Sequence, residues 1–183
     1  MDVTIERSDG GRHRAIAARA DGTSVILWLH DDGAALPTDL VHWVVESELG
    51  LAWGFWGLIA GGAPPEVVQG DAPGDTSTAE SSEAVSDPLV TAHEGELRLA
   101  RAYVAGFTRG SDLRPFEQRL AEQLEPLGAL DALPSDEGIV AVASHLDELG
   151  SVWRSLKPGT RLRLRWDADG GPRPPEPGDA QPG

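Results

Sequence analysis

Residues 36–62 read LPTDLVHWVVESELGLAWGFWGLIAGG and include the most apolar part of the chain. Pro37 and Thr38 predict the start of a helix with Thr38 as its N-cap, and Gly50 predicts its end. Aliphatic residues cover most of the helical wheel at about 100° per residue. They are Leu40, Val41, Val44, Val45 and Leu49. We therefore expect a helix that begins near Thr38, ends near Leu49 and packs in the core.

One narrow stripe of this helix is polar. Asp39, His42 and Glu46 fall within an arc of about 60° on the wheel. His42 and Glu46 are four residues apart, about 6 Å along the axis, so they could share a proton or bind one metal ion. Asp39 lies about 10 Å from Glu46 along the axis, which suits a first-turn charge or a hydrogen bond to the His42 ring.

The stripe has two interpretations. In the first it is a site: Asp39, His42 and Glu46 are the candidate catalytic residues, with His42 as general base or ligand and Glu46 orienting its ring. A metal bound by His42 and Glu46 would need a third ligand. The available candidates are His93, Glu94 and His145. In the second, preferred interpretation the stripe is the solvated face of an amphipathic helix, with neither a metal nor another cofactor.

Three tryptophans, Trp43, Trp53 and Trp56, crowd this region. Large aromatic side chains mostly serve core packing, here of helix against sheet, but they also form ring-stacking surfaces for ligands. Trp43 borders the polar stripe on the wheel, so it is the candidate ligand-binding residue at a pocket rim. Residues 51–62 predict a second helix whose glycines allow another backbone to approach closely.

The order of these residues resembles a family of small uncharacterised bacterial proteins. Its members share a His-Asp-Leu-x-His-x-x-x-Glu helix followed by Gly-Phe-Trp-Gly, matched here by Asp39, His42, Glu46 and residues 54–57. Thr38 stands where the family has its first histidine. If the family helix binds a metal through two histidines, the resemblance implies that this chain has lost one of them. It implies a bacterial protein and no particular activity.

Both ends of the chain predict strands. Residues 2–30 contain alternating segments separated by Asp-Gly turns near positions 9 and 21, which is typical of an antiparallel meander. Residues 160–166 alternate strictly, with three arginines on one side and apolar residues on the other. We expect an α+β fold in which a small antiparallel sheet of three or four strands, the meander plus the C-terminal strand, packs against about five helices.

The predicted sheet carries a stripe of arginines. Arg161, Arg163 and Arg165 alternate along the last strand, and Arg12 and Arg14 could lie beside them. Such a stripe is usually a solvated face that pairs with nearby carboxylates, and the alternative is a site for an acidic ligand.

The remaining sequence defines the domain organisation. Residues 70–86 contain almost no large apolar side chain, which predicts a disordered linker. Residues 169–183 are rich in Pro and Gly and predict a disordered tail. Amphipathic patterns within 87–110, 113–127 and 135–156 predict further helices. We therefore expect a single domain over 1–168 that the linker interrupts.

Composition narrows the classes of function. The chain of 183 residues has 30 acidic and 15 basic side chains, a net charge of −15 and no cysteine. The charge argues against nucleic acid and anionic membranes as partners. The longest apolar stretch is well below the roughly 20 residues of a membrane span, and no targeting segment is visible, so we expect a cytoplasmic protein. The lack of cysteine excludes a disulfide scaffold.

Two functions remain open. The preferred one is a noncatalytic interaction or regulatory protein whose acidic surface and linker engage a protein partner, because no complete catalytic constellation is visible. The alternative is a small enzyme or a ligand- or metal-binding protein that uses Asp39, His42 and Glu46.

Overall fold

The structure, a computed structural model, describes residues 1–30, 36–69, 87–108, 114–167 and 171–173. It confirms the predicted α+β class. The strands are β1 (Asp2–Glu6), β2 (Arg12–Ala18), β3 (Ser24–His30), β4 (Arg161–Asp167) and β5 (Gly171–Arg173). Their order in the sheet is β3-β2-β1-β4-β5, and every neighbouring pair is antiparallel. The C-terminal strand β4 thus joins the N-terminal meander beside β1.

The fifth strand is an addition to the expected three or four. It has three residues, pairs with β4 and falls within the segment predicted as a tail. The rest of the predicted tail from residue 174 onward lies outside the described residues, as does the predicted linker, 70–86.

Seven helices form within the described residues. They are α1 (Thr38–Leu49), α2 (Phe55–Gly61), α3 (Pro65–Gln69), α4 (Pro88–Ala92), α5 (Glu94–Phe107), α6 (Phe116–Leu124) and α7 (Asp136–Ser155). Only α3 and α4 have as few as five residues, so the expectation of about five substantial helices is confirmed. Asp87 caps α4 through the N–H groups of Leu89 and Val90, and Ser135 caps α7. No helix in these segments is long and apolar enough to cross a membrane.

The helices cover one face of the sheet. Side chains of successive strand residues point to opposite faces, so each strand has an inner and an outer set. The inner set is buried and apolar. It includes Val3, Ile5, Ala15, Ala17, Leu27, Leu29, Leu162, Leu164 and Trp166. We call the opposite side the outer face of the sheet.

Helix α1 lies at the centre of the helical layer. It contacts α2, α5, α7 and the sheet, and every residue from Leu40 to Glu46 is buried. Pro37 occupies the N-cap position, so Thr38 is the first helical residue instead of the predicted cap. Gly50 ends the helix with a φ of 66°, a left-handed conformation that favours glycine. The middle of the helix is therefore enclosed, whereas its two ends are exposed or partly exposed, and this places His42 and Glu46 of the polar stripe in the interior.

Candidate functional site

Glu46 is fully buried and caps the start of α2. Its Oε1 accepts a hydrogen bond from the backbone N–H of Phe55 at 2.7 Å, and its Oε2 accepts one from the N–H of Trp56 at 3.0 Å. These two residues open α2, where backbone N–H groups have no partner within the helix. A carboxylate at this end also interacts favourably with the helix dipole. The side chain of one helix therefore supplies the N-terminal cap of the next.

His42 makes the third contact of this carboxylate. Its Nδ1 lies 3.0 Å from Glu46 Oε1, and its ring packs against Phe55 with the centroids 5.3 Å apart. Because Oε1 already acts as an acceptor, Nδ1 donates the hydrogen of this bond. The His42 residue is only 8% exposed. The pair is thus a buried hydrogen bond that orients both side chains.

Two glycines allow close contacts here, Gly54 with Glu46 of α1 and Gly57 with the backbone of the turn that precedes α2. A Cβ added at Gly54 would lie 2.3 Å from Glu46 Cδ, and one added at Gly57 would lie 1.8 Å from the carbonyl oxygen of Ala52. Trp56 Nε1 donates to the carbonyl oxygen of Asp39 at 2.8 Å. The residues Gly-Phe-Trp-Gly therefore form a turn and a first helical turn that dock on the polar stripe of α1.

The far end of α2 is held by the sheet. Arg19, just after β2, donates from Nε to the carbonyl oxygen of Ile59 at 2.6 Å and from Nη2 to that of Ala63 at 2.7 Å. Ile59 lies in the last turn of α2, where its carbonyl oxygen also accepts the N–H of Gly62, and Ala63 follows two residues after the helix. Side chains from α1 and from the end of β2 thus hold the two ends of α2.

The structure brings together two of the three predicted site residues. His42 and Glu46 are in contact, whereas Asp39 lies half-buried in the first turn of α1 and touches α2 through its backbone. The interpretation of the stripe as a solvated helix face is wrong for His42 and Glu46, because α2 covers them. Both oxygens of the Glu46 carboxylate are engaged within the fold.

The three candidates for an additional metal ligand lie elsewhere. His93 stacks on Trp53 with ring centroids 4.0 Å apart. Glu94 pairs with Arg98 on the exposed side of α5, and His145 Nδ1 lies 2.7 Å from Glu48 Oε1. Within the described segments, no group of three or more His, Asp or Glu side chains could hold a metal ion.

Trp43, the candidate ligand-binding residue, lies in the core and not at a pocket rim. It is completely buried and makes edge-to-face contacts with Trp56 and Trp166, at centroid distances of 5.2 and 5.6 Å. Trp53 is only half-buried and lines a depression of about 280 Å³ together with Met1 and Trp166. None of the side chains that line this depression is ionisable.

The outer face of the sheet exposes three large apolar side chains. Ile16 is 36% exposed, Ile26 51% and Trp28 42%. Ile16 pairs with Ile26 across β2 and β3, and Trp28 is the partner of Arg14 in the same register. The three therefore form one contiguous surface, which we call the apolar patch.

Arginines share the outer face with the apolar patch. On β2, the side chains of Arg12 and Arg14 lie on the same exposed face as that of Ile16. On β4, this face carries the exposed side chains of Arg161, Arg163 and Arg165. The guanidinium of Arg12 lies over the Trp28 ring, 4.5 Å from its centroid. These positions confirm that the arginine stripe predicted on β4 is exposed.

Between the two groups of arginines lies β1, which contributes two carboxylates. Glu6 Oε2 is 3.4 Å from Arg161 Nε, and Asp2 Oδ1 is 4.0 Å from Arg165 Nε. Among the strand side chains that the structure describes, the outer face thus carries five arginines and two carboxylates. This excess of positive charge belongs to a chain with a net charge of −15.

Sequence reasoning missed both the cap formed by Glu46 and the apolar patch. The alternation of β2 contained a usable signal, because it places Ile16 on the same face as Arg12 and Arg14. For the cap, the signal was Gly54 within the predicted second helix of residues 51–62, because α2 begins only after it, at Phe55. His13 on β2 is also buried, against Trp153, and accepts the N–H of Ser8 at Nδ1.

No protein-family model, no curated protein and no solved structure matches this chain.

Proposed function

We propose that this chain is a noncatalytic interaction protein that binds a protein partner through the outer face of its sheet. The observation that carries the proposal is the apolar patch of Ile16, Ile26 and Trp28, which lies open on a sheet face while the helices cover the other face. Contiguous exposed apolar residues with a polar rim are typical of interaction surfaces. Tryptophan and arginine are also the residues most enriched among those that dominate binding energy.

The internal use of the polar stripe supports a noncatalytic role. Glu46 is fully buried and caps α2, and it is the residue expected to orient His42. A carboxylate with two backbone N–H groups and an imidazole around it has an evident structural purpose. The stripe therefore accounts for how α1 and α2 pack.

The proposal places the contact on a different surface from the acidic one that composition favours. Charge alone repels and attracts at long range, but it does not supply buried apolar area. The outer face combines apolar side chains with arginine and is the better candidate for a stable contact.

The alternative is a small enzyme or ligand-binding protein that uses Asp39, His42 and Glu46. One observation favours it: a carboxylate that orients a histidine ring is also the arrangement of a general base. The burial of His42 and the engagement of both Glu46 oxygens favour the interaction protein instead.

Site-specific photocrosslinking tests the proposal. A photoreactive phenylalanine analogue replaces Ile26 in the full chain, and in a control it replaces Val140, a residue of α7 that is 66% exposed. In the native cells we expect a discrete adduct at position 26 and none at 140, with the captured protein identified by mass spectrometry. Equal adducts at both positions would contradict the proposal.

The identified partner then provides the decisive measurement. With both proteins purified, we expect Ile26→Asp to weaken binding at least tenfold, because a charge placed in the centre of an apolar contact must be desolvated. The control Val140→Asp should bind as the wild type does. A partner whose affinity is unaffected by Ile26→Asp would refute the assignment of this face.

A further inference from the structure

We infer that the outer face of the sheet takes an extended acidic segment of a partner protein, in which carboxylates are combined with large apolar side chains. The inference rests on the proposed function and adds the chemistry of the partner. It joins two features of the face, the apolar patch and the arginines.

The excess of positive charge on the outer face favours a partner that carries carboxylates. Among the strand side chains that the structure describes, five arginines share this face with Asp2 and Glu6, in a chain that is strongly acidic as a whole. Arg14 and Arg163 make no ion pair within the described segments. The pairs that Asp2 and Glu6 do form are exposed, and such pairs contribute little to stability. Incoming carboxylates can therefore bind at Arg14 and Arg163 without breaking an ion pair of the described segments.

The register of the strands fixes the spacing of the two features. Across the sheet, Ile26 on β3 is followed by Ile16 on β2, Thr4 on β1 and Arg163 on β4. Ile26 and Arg163 are three strand spacings of about 4.8 Å apart, which makes about 14 Å in all. An extended segment rises about 3.4 Å per residue, so its apolar and acidic side chains should lie about four residues apart.

The composition of the face favours a polypeptide over single-stranded nucleic acid. Nucleic-acid platforms of this kind stack bases on several aromatic side chains. Here the described strands present one exposed aromatic ring, that of Trp28, and the guanidinium of Arg12 lies over it. Ile16 and Ile26 suit aliphatic or aromatic side chains of a peptide.

Selection from a random peptide library against the full chain tests the inference. We expect the selected peptides to carry Asp or Glu about four residues from a large apolar residue. A matched peptide with Asn and Gln in place of these acids should bind about three- to fivefold more weakly, as should the acidic peptide to an Arg163→Glu variant. The control Arg98→Glu, on the exposed side of α5, should leave affinity unchanged.

The outcomes separate the inference from the proposed function. Selected peptides that are neutral or basic, yet lose affinity with Ile26→Asp, would overturn the inference and leave the interaction face in place. Peptides that bind independently of both Ile26 and Arg163, or no selected peptide at all, would also overturn it. Tighter binding of oligo(U) than of any acidic peptide, lost in Arg163→Glu, would assign the face to RNA instead.

Discussion

Replacing Glu46 by glutamine tests how α1 and α2 are joined. The substitution keeps the size of the side chain but turns one acceptor oxygen into an NH₂ donor. In either orientation of the amide, the NH₂ group faces the N–H of Phe55 or that of Trp56. Only one side-chain oxygen then remains to accept hydrogen bonds from these two N–H groups. The site is fully buried, so water cannot replace the lost partner.

The structure indicates the size of the effect. A hydrogen bond to a charged acceptor contributes about 1.5–3 kcal/mol, and a buried donor left without a partner costs about 1–3 kcal/mol. These terms overlap, and we expect Glu46→Gln to lower the free energy of unfolding by about 3 kcal/mol. For a chain of this length that corresponds to a fall in melting temperature of about 6–12 °C.

A matched control lies two residues away. Glu48→Gln makes the same chemical change on the same helix, but Glu48 is partly exposed and, within the described segments, its side chain pairs with a single side chain, His145. We expect a loss of at most about 1 kcal/mol there. Thermal melting compares the two variants, and amide hydrogen exchange follows Phe55 and Trp56. Equal losses in both variants, or unchanged exchange at these amides, would refute the capping role of Glu46.

Three further predictions follow from other contacts. Gly54→Ala should destabilise the fold by about 2 kcal/mol in thermal melting, because its Cβ would overlap the carboxylate that caps α2. Gly95→Ala, at an exposed position of α5 with open space around it, should stabilise the fold by up to about 1 kcal/mol. Burial, and then the charge of Asp131, raises the pKa of Tyr103, so ultraviolet titration of this single tyrosine should give a midpoint above about 10. Its contribution to stability is complete below the unfolded pKa of about 10 and is lost as the pH rises through the higher folded value, so melting temperatures should fall less steeply with alkaline pH in Tyr103→Phe. Adding Zn²⁺ or EDTA to the untagged protein should leave the melting temperature unchanged, and a rise with Zn²⁺ that His42→Ala abolishes would instead support the metal-binding alternative.

The periodicity of the chain predicted most of the fold. Apolar residues around the wheel of residues 38–49 indicated the core helix, and the strict alternation of residues 160–166 indicated β4. Both patterns arise from the regular geometry of a single helix or strand. Residues that are close in the sequence are therefore enough to predict them. The same wheel placed His42 and Glu46 together on one stripe, as the structure has them.

The sequence by itself therefore determined which side chains share a face, because that depends only on the repeat of a helix or a strand. Tertiary structure alone decided what each face meets. The stripe with Glu46 is polar and was expected in water, but the unsatisfied N–H groups at the start of α2 make it a buried contact. Ile26 and Trp28 are apolar and would be expected inside, but the helices pack on one face of the sheet and leave them exposed. Burial depends on the partner surface, and that surface comes from residues distant in the chain.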